Sequence, residues 1–80
     1  MKKEIVQIIS EYTDVAKRNI KEEAFLVSDL GLTSLDVVNL IVSFEEHYGI
    51  SISISDISEL RQVKDIEHVL VKKIKEKEGK

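Results

Sequence analysis

Apolar residues recur at helical spacing in three stretches of the chain and alternate strictly in a fourth. From Lys3 to about Lys17, Ile5, Ile8, Ile9, Tyr12, Val15 and Ala16 share one face at about 100° per residue, opposite Gln7, Ser10, Glu11, Asp14, Lys17 and Arg18. The pattern predicts an amphipathic first helix with these six apolar residues in the core. A second helix is expected from Ser34 to about Tyr48, stopped by Gly49, where a glycine readily takes the left-handed C-terminal conformation. A last helix runs from about Lys64, since Val63, Ile66, Leu70 and Ile74 return to one face with Val69 beside them. Between the last two, Ile50-Ser51-Ile52-Ser53-Ile54-Ser55 alternates like a strand, yet the chain offers no second strand to pair with it. An extended linker that drops one or two Ile side chains into the core fits better. It leads into a short helix over about Ser55–Leu60, for which Ser53-x-x-Asp56 is a capping box.

Residues 19–33 keep no helical period but contain Ile20, Phe25, Leu26, Leu30 and Leu32, so this long loop should be pinned to the core. Loops of this length that stay ordered are often functional. It ends in Asp29-Leu30-Gly31-Leu32-Thr33-Ser34-Leu35-Asp36, where Thr33 and Asp36 form a second capping box and place Ser34 at the first helical position. The expected fold is all-α: a small four-helix bundle in one domain over residues 1–80, with three main helices, one short helix, and a long loop between helices one and two.

The faces of the second helix carry the most information. Val37, Leu40, Ile41, Phe44 and Tyr48 make one core stripe, and Leu35, Val38 and Val42 lie on the opposite side, flanked by Asn39, Glu45 and Glu46. A helix in so small a domain has difficulty burying both sides, so the second set reads as an exposed apolar strip with an acidic border. Such a strip is a docking face for other proteins, unless the bundle wraps the helix more fully.

Composition narrows the classes. The chain is 42% hydrophobic and 34% charged, ordinary for a folded domain, and with no cysteine it has neither disulfides nor a thiolate metal site. The net charge of -3 is uneven: residues 29–67 carry eight acids against Arg61 and Lys64, and residues 68–80 carry five Lys against two Glu. An acidic middle argues against nucleic acid, whose binding relies on Lys and Arg meeting phosphates, and favours a protein partner with a basic patch. No stretch approaches the ~18 apolar residues of a membrane span, and the N-terminus has no signal-peptide core, which makes a cytoplasmic location the expectation.

Catalytic constellations are missing. The sequence has no glycine-rich phosphate loop, no His-Glu-x-x-His and no calcium loop. His47 follows Ser34 on the same helix by thirteen residues, about 20 Å, too far to act as its general base, and both His47 and His68 read as solvent-facing. What remains is a serine at an electropositive helix start, preceded by a glycine turn. A phosphodiester on Ser34 would be favoured there by the helix dipole and the unpaired N–H groups.

At this point the residues resemble a known family. Asp29-Leu30-Gly31-Leu32-Thr33-Ser34-Leu35-Asp36, then Val37-Val38-Asn39-Leu40 and Phe44-Glu45-Glu46-His47-Tyr48-Gly49-Ile50, are similar to the acyl carrier proteins over nearly the whole chain. The resemblance implies a non-enzymatic carrier in which Ser34 receives 4'-phosphopantetheine from coenzyme A through a phosphopantetheinyl transferase, and the thiol of that arm holds acyl groups as thioesters. It also implies partner binding by Leu35, Asp36, Val38, Val42, Glu45, Glu46 and Asp56, and a monomer that docks on acyl-transferring or synthase enzymes with basic patches. Ile41, Ile52, Ile57 and Leu60 are the candidates for sheltering an acyl chain.

Thr33, Asn39, His47 and Ser53 depart from the usual pattern of the fatty-acid carriers, in which the first three positions are commonly acidic and the last is a proline. Fewer acids on the second helix weaken docking to housekeeping fatty-acid synthase enzymes, which keeps a dedicated carrier of a specialised acyl or polyketide pathway open. A D-alanyl or peptidyl carrier, and an unmodified helical interaction module, are the alternative functions.

Overall fold

The computed structural model describes residues 2–79, and its regular elements are helical. α1 spans Lys2–Ser10, α2 Ser34–Tyr48, α3 Ile54–Ile57 and α4 Val63–Glu78, with a 3-10 turn at Lys17–Asn19 in the first loop. Among the described residues there is no strand, only an isolated antiparallel bridge between Phe25 and Gln62.

α1 stops seven residues short of the expected Lys17. Its end tightens through Glu11 and Tyr12 N–H bonds to the carbonyls three residues back, and the Ser10 hydroxyl donates to Gln7 O. Thr13 then spends its hydroxyl outside a helix, donating to Leu30 O at 2.7 Å and accepting from Val15 N at 3.2 Å. Hydroxyl side chains compete in this way with the helical ladder. Tyr12 and Val15 still pack on the core from irregular backbone, which is why they kept the helical spacing, whereas Ala16 is exposed and is not a core residue.

One core joins all parts of the chain. α1 supplies Ile5, Ile8 and Ile9, the long loop Ile20, Leu26, Leu30 and Leu32, α2 Leu40, Ile41 and Phe44, the linker Ile52, and α4 Val63, Ile66, Val69 and Leu70. Each such side chain contributes about 1.5–3 kcal/mol over its exposed state, so the loop residues fix the loop as firmly as helix packing would. Phe25 is the exception, 46% exposed, because the bridge to Gln62 turns it outward while Leu26 enters the core.

The long loop is zipped to the α3–α4 junction. Leu26 N donates to Arg61 O at 2.8 Å, Val63 N to Ala24 O at 3.0 Å, Lys64 N to Glu22 O at 2.9 Å, and the Gln62 side-chain amide to Glu23 O at 2.8 Å. At the far end of α2, Gly49 takes φ 63°, as the sequence required, and the Lys77 ammonium donates to its carbonyl at 2.8 Å.

α3 lies earlier and is shorter than the expected Ser55–Leu60. Ser53 is its N-cap: Ser53 Oγ accepts from Asp56 N and the Asp56 carboxylate accepts from Ser53 N, so the helix starts at Ile54 directly after the cap. Ile52 enters the core as the linker reading required, and Ile54, two residues on, stays 87% exposed.

Candidate functional site

The approach to Ser34 is built from a compact turn. Asp29 N and Leu30 N both donate to Phe25 O, Gly31 N to Val27 O and Leu32 N to Leu26 O, and the Asp29 carboxylate accepts from Phe25 N at 2.8 Å. Gly31 adopts φ 68°, a left-handed conformation that a side chain would strain, and the Leu30 and Leu32 side chains on either side are buried. The turn is thus anchored from below and sets the start of α2 at a fixed place on the surface.

Thr33 and Asp36 close the capping box at that start. Thr33 Oγ1 accepts from Asp36 N at 3.1 Å, and Asp36 Oδ2 accepts from Thr33 N at 3.0 Å. The box consumes the Thr33 hydroxyl and leaves the next one alone: Ser34 is exposed, and its hydroxyl makes no hydrogen bond among the described residues. The N–H groups of Ser34 and Leu35 belong to the first turn, where no intrahelical acceptor exists, so they face an incoming anion together with the positive end of the helix dipole. Replacing Thr33 by Ala should lower stability by about 1 kcal/mol through loss of the cap, read as a lower urea midpoint.

Beyond Ser34, α2 exposes Leu35 at 68%, Val38 at 50% and Val42 at 43%, the strip drawn from the helical wheel. Its acidic border is less available than the sequence indicated. Glu46 is exposed, but Glu45 is half-buried and accepts from Ile52 N at 2.8 Å, tying α2 to the linker, and Asp36 is engaged in the cap.

Asp56 is a correction. Expected on the partner face, it is 4% exposed, held by the Lys73 ammonium at 2.9 Å and by the Ser53 cap, with Lys72 at 3.9 Å. The Lys73 hydrogen bond, then that from Ser53, bring its carboxyl down to about 2. Its charge is spent inside the fold.

The other candidates divide by depth. Ile41 and Ile52 are core residues, and Ile57 and Leu60 are partly buried against the same core. His47 and His68 are exposed, His47 lying edge-on to the Tyr48 ring. The sequence reading missed Val27 and Ile54 as exposed apolar residues: the Ile-Ser alternation places Ile54 on the same side as buried Ile52 and so pointed the wrong way, and Val27 had no signal.

Residues 3–70 match a family model described as a phosphopantetheine attachment site. The chain is 37% identical over 70 residues to the acyl carrier protein of Thermotoga maritima, covering 88% of this chain and 86% of that protein. It belongs to the acyl carrier protein family. The acyl carrier protein of Syntrophobacter fumaroxidans is similar at 43% identity over 72 residues, covering 90% of this chain and 89% of the relative. In fold, the crystal structure of the Thermotoga maritima acyl carrier protein superposes with a TM-score of 0.78 at 32% identity, over 92% of this chain and 86% of that one. A chain in the ishigamide ketosynthase/chain length factor structure shares the fold alone, with a TM-score of 0.72 at 23% identity, covering 91% of this chain and 92% of that one.

As a member of the family, this acyl carrier protein carries covalent 4'-phosphopantetheine, and the start of α2 fits that group. It offers an exposed unengaged hydroxyl on Ser34 and two outward N–H groups beside it. Among the described residues no helix is long and apolar enough to cross a membrane.

Proposed function

We propose that Ser34 is the attachment residue and that this acyl carrier protein acts without catalysis of its own, presenting acyl groups to successive enzymes. The observation that carries the choice of Ser34 is the contrast between neighbouring hydroxyls: Thr33 Oγ1 is committed to the cap, whereas the Ser34 hydroxyl is exposed and unengaged. The arm supplies a terminal thiol on which the acyl group is held as a thioester. Ser34 fixes the root of the arm, and the first-turn N–H groups and helix dipole stabilise the phosphodiester charge there.

Leu35, Val38, Val42 and Glu46 form the surface on which a phosphopantetheinyl transferase and the acyl-transferring or synthase enzymes dock, with Asp36 and Glu45 adding charge from their internal hydrogen bonds. Ile41, Ile52, Ile57 and Leu60 are the core side chains against which an acyl chain would shelter, since each methylene withdrawn from water contributes about 0.8 kcal/mol. The protein works as a monomeric single domain in the cytoplasm, in fatty-acid synthesis or a specialised acyl pathway.

The test is the intact mass after incubation with coenzyme A and a broad-specificity transferase. One added phosphopantetheine is expected. An unchanged mass, with a control carrier modified in the same tube, would sink the carrier reading and leave the exposed strip as a plain interaction face.

A further inference from the structure

α3 is poorly equipped to hold its own position. It has four residues, far below the roughly 12–15 at which an isolated helix becomes even marginal in water. Its first residue, Ile54, is 87% exposed and contributes almost no burial, and Ile57 and the following Leu60 are only partly buried. Against this, the one buried polar side chain among the described core residues is Asp56, and it lies on α3. Lys73, in the third turn of α4, reaches it at 2.9 Å with its own side chain 20% exposed, and Lys73 is steadied in turn by Glu76 at 3.6 Å. Lys72 stands off at 3.9 Å with half its side chain in solvent. The linker before α3 is tied separately, to α2, through Glu45 and Ile52 N.

α3 is thus seated between two helices by two polar attachments of different kinds: a short linker bond to α2 and a largely desolvated ion pair to α4. Breaking a buried pair by removing one partner is costly, because it leaves the other charge uncompensated. In this chain the uncompensated charge would be Asp56, which regains solvation when α3 swings outward. The linker bond from Glu45 can stay in place during such a movement, because it lies on the α2 side of Ser53.

We propose that Lys73 and Asp56 form a latch that holds α3 closed over Ile52 and the neighbouring core, and so set how easily an acyl chain carried on Ser34 enters the bundle. The second half rests on the reading of Ser34 as the attachment residue; the first does not. The pair is a specificity element: a tight latch favours short acyl groups left in solvent, and a loosened one admits longer chains.

Amide hydrogen exchange on the unmodified full-length protein tests the latch. Lys73→Met should speed exchange over residues 53–60 by about tenfold while Ile52 and the middle of α1 and α2 keep their wild-type rates, the pattern of a local opening. Lys73→Arg, which preserves the charge, should return residues 53–60 to near wild type, and Lys72→Met should change nothing. Unchanged exchange at 53–60 in Lys73→Met, or equal acceleration along the whole chain, would overturn the latch.

Chain entry is tested on protein loaded from two-carbon and eight-carbon acyl-coenzyme A. Hydroxylamine attacks the thioester carbonyl to give a hydroxamate and release the arm thiol, so its rate reports exposure. Lys73→Met should slow this reaction severalfold for the eight-carbon group and leave the two-carbon group unaffected. Equal rates for both lengths in both proteins would refute chain entry. If neither protein loads, the Ser34 reading fails and takes the chain-entry half with it, while the exchange data on unmodified protein still decide the latch.

Discussion

Ser34→Ala protein incubated with coenzyme A and a transferase should keep its unmodified mass, while wild type in a parallel tube should gain one phosphopantetheine. The expected effect is complete because the substitution removes the only atom that can be the acceptor at that position, the Ser34 hydroxyl oxygen. It removes little else. The side chain is exposed, its hydroxyl has no partner among the described residues, and the helix start is capped by Thr33 and Asp36. Exposed substitutions of this kind shift stability by no more than about 0.5 kcal/mol, so the variant should unfold in urea at the wild-type midpoint. Mass gain by the variant would move the attachment elsewhere. An unfolded variant would mean that the Ser34 side chain helps to hold the start of α2 together.

Phe44→Ala should destabilise the protein severely, with a urea midpoint far below that of wild type. Phe44 is fully buried in the third turn of α2, among the largest side chains that see no solvent. Truncating a core Phe costs about 3–5 kcal/mol in lost transfer energy and residual cavity. A chain of 80 residues has a total stability of only about 4–12 kcal/mol. Circular dichroism with urea titration reads the result, and a midpoint within error of wild type would mean that α2 is not the hub of the core. Val38, on the opposite side of the same helix, is half exposed, and Val38→Ala should shift the midpoint only slightly. The two faces of α2 are therefore separable: one carries stability, the other is open to solvent.

The faces of α2 were legible because both signals acted within one helix: spacing assigned Leu40, Ile41 and Phe44 to the core and left Leu35, Val38 and Val42 outside. The caps were legible for the same reason, since Thr33 with Asp36 and Ser53 with Asp56 are local pairs and both boxes form. Non-local bonds were not. The end of α1 depends on Thr13 meeting Leu30 O and Tyr12 meeting Ser43, contacts across 17 and 31 residues that periodicity does not register. Asp56 was misplaced for a related reason. An acid in a short helix of an acidic region reads as surface charge until Lys73 is brought against it. In the same way Glu45 kept its place on α2 but turned out to serve the linker.

The bonds between residues 22–26 and 61–64 tie the site to the order in which the chain is made. Leu32 N bonds Leu26 O, and Leu26 N in turn bonds Arg61 O, so the turn that delivers Ser34 is the middle of a relay whose last member is synthesised twenty-seven residues after the serine. While a ribosome has extended the chain only as far as α3, Ser34 has already been made but its support has not. The serine reaches its finished setting only in a chain that contains the start of α4.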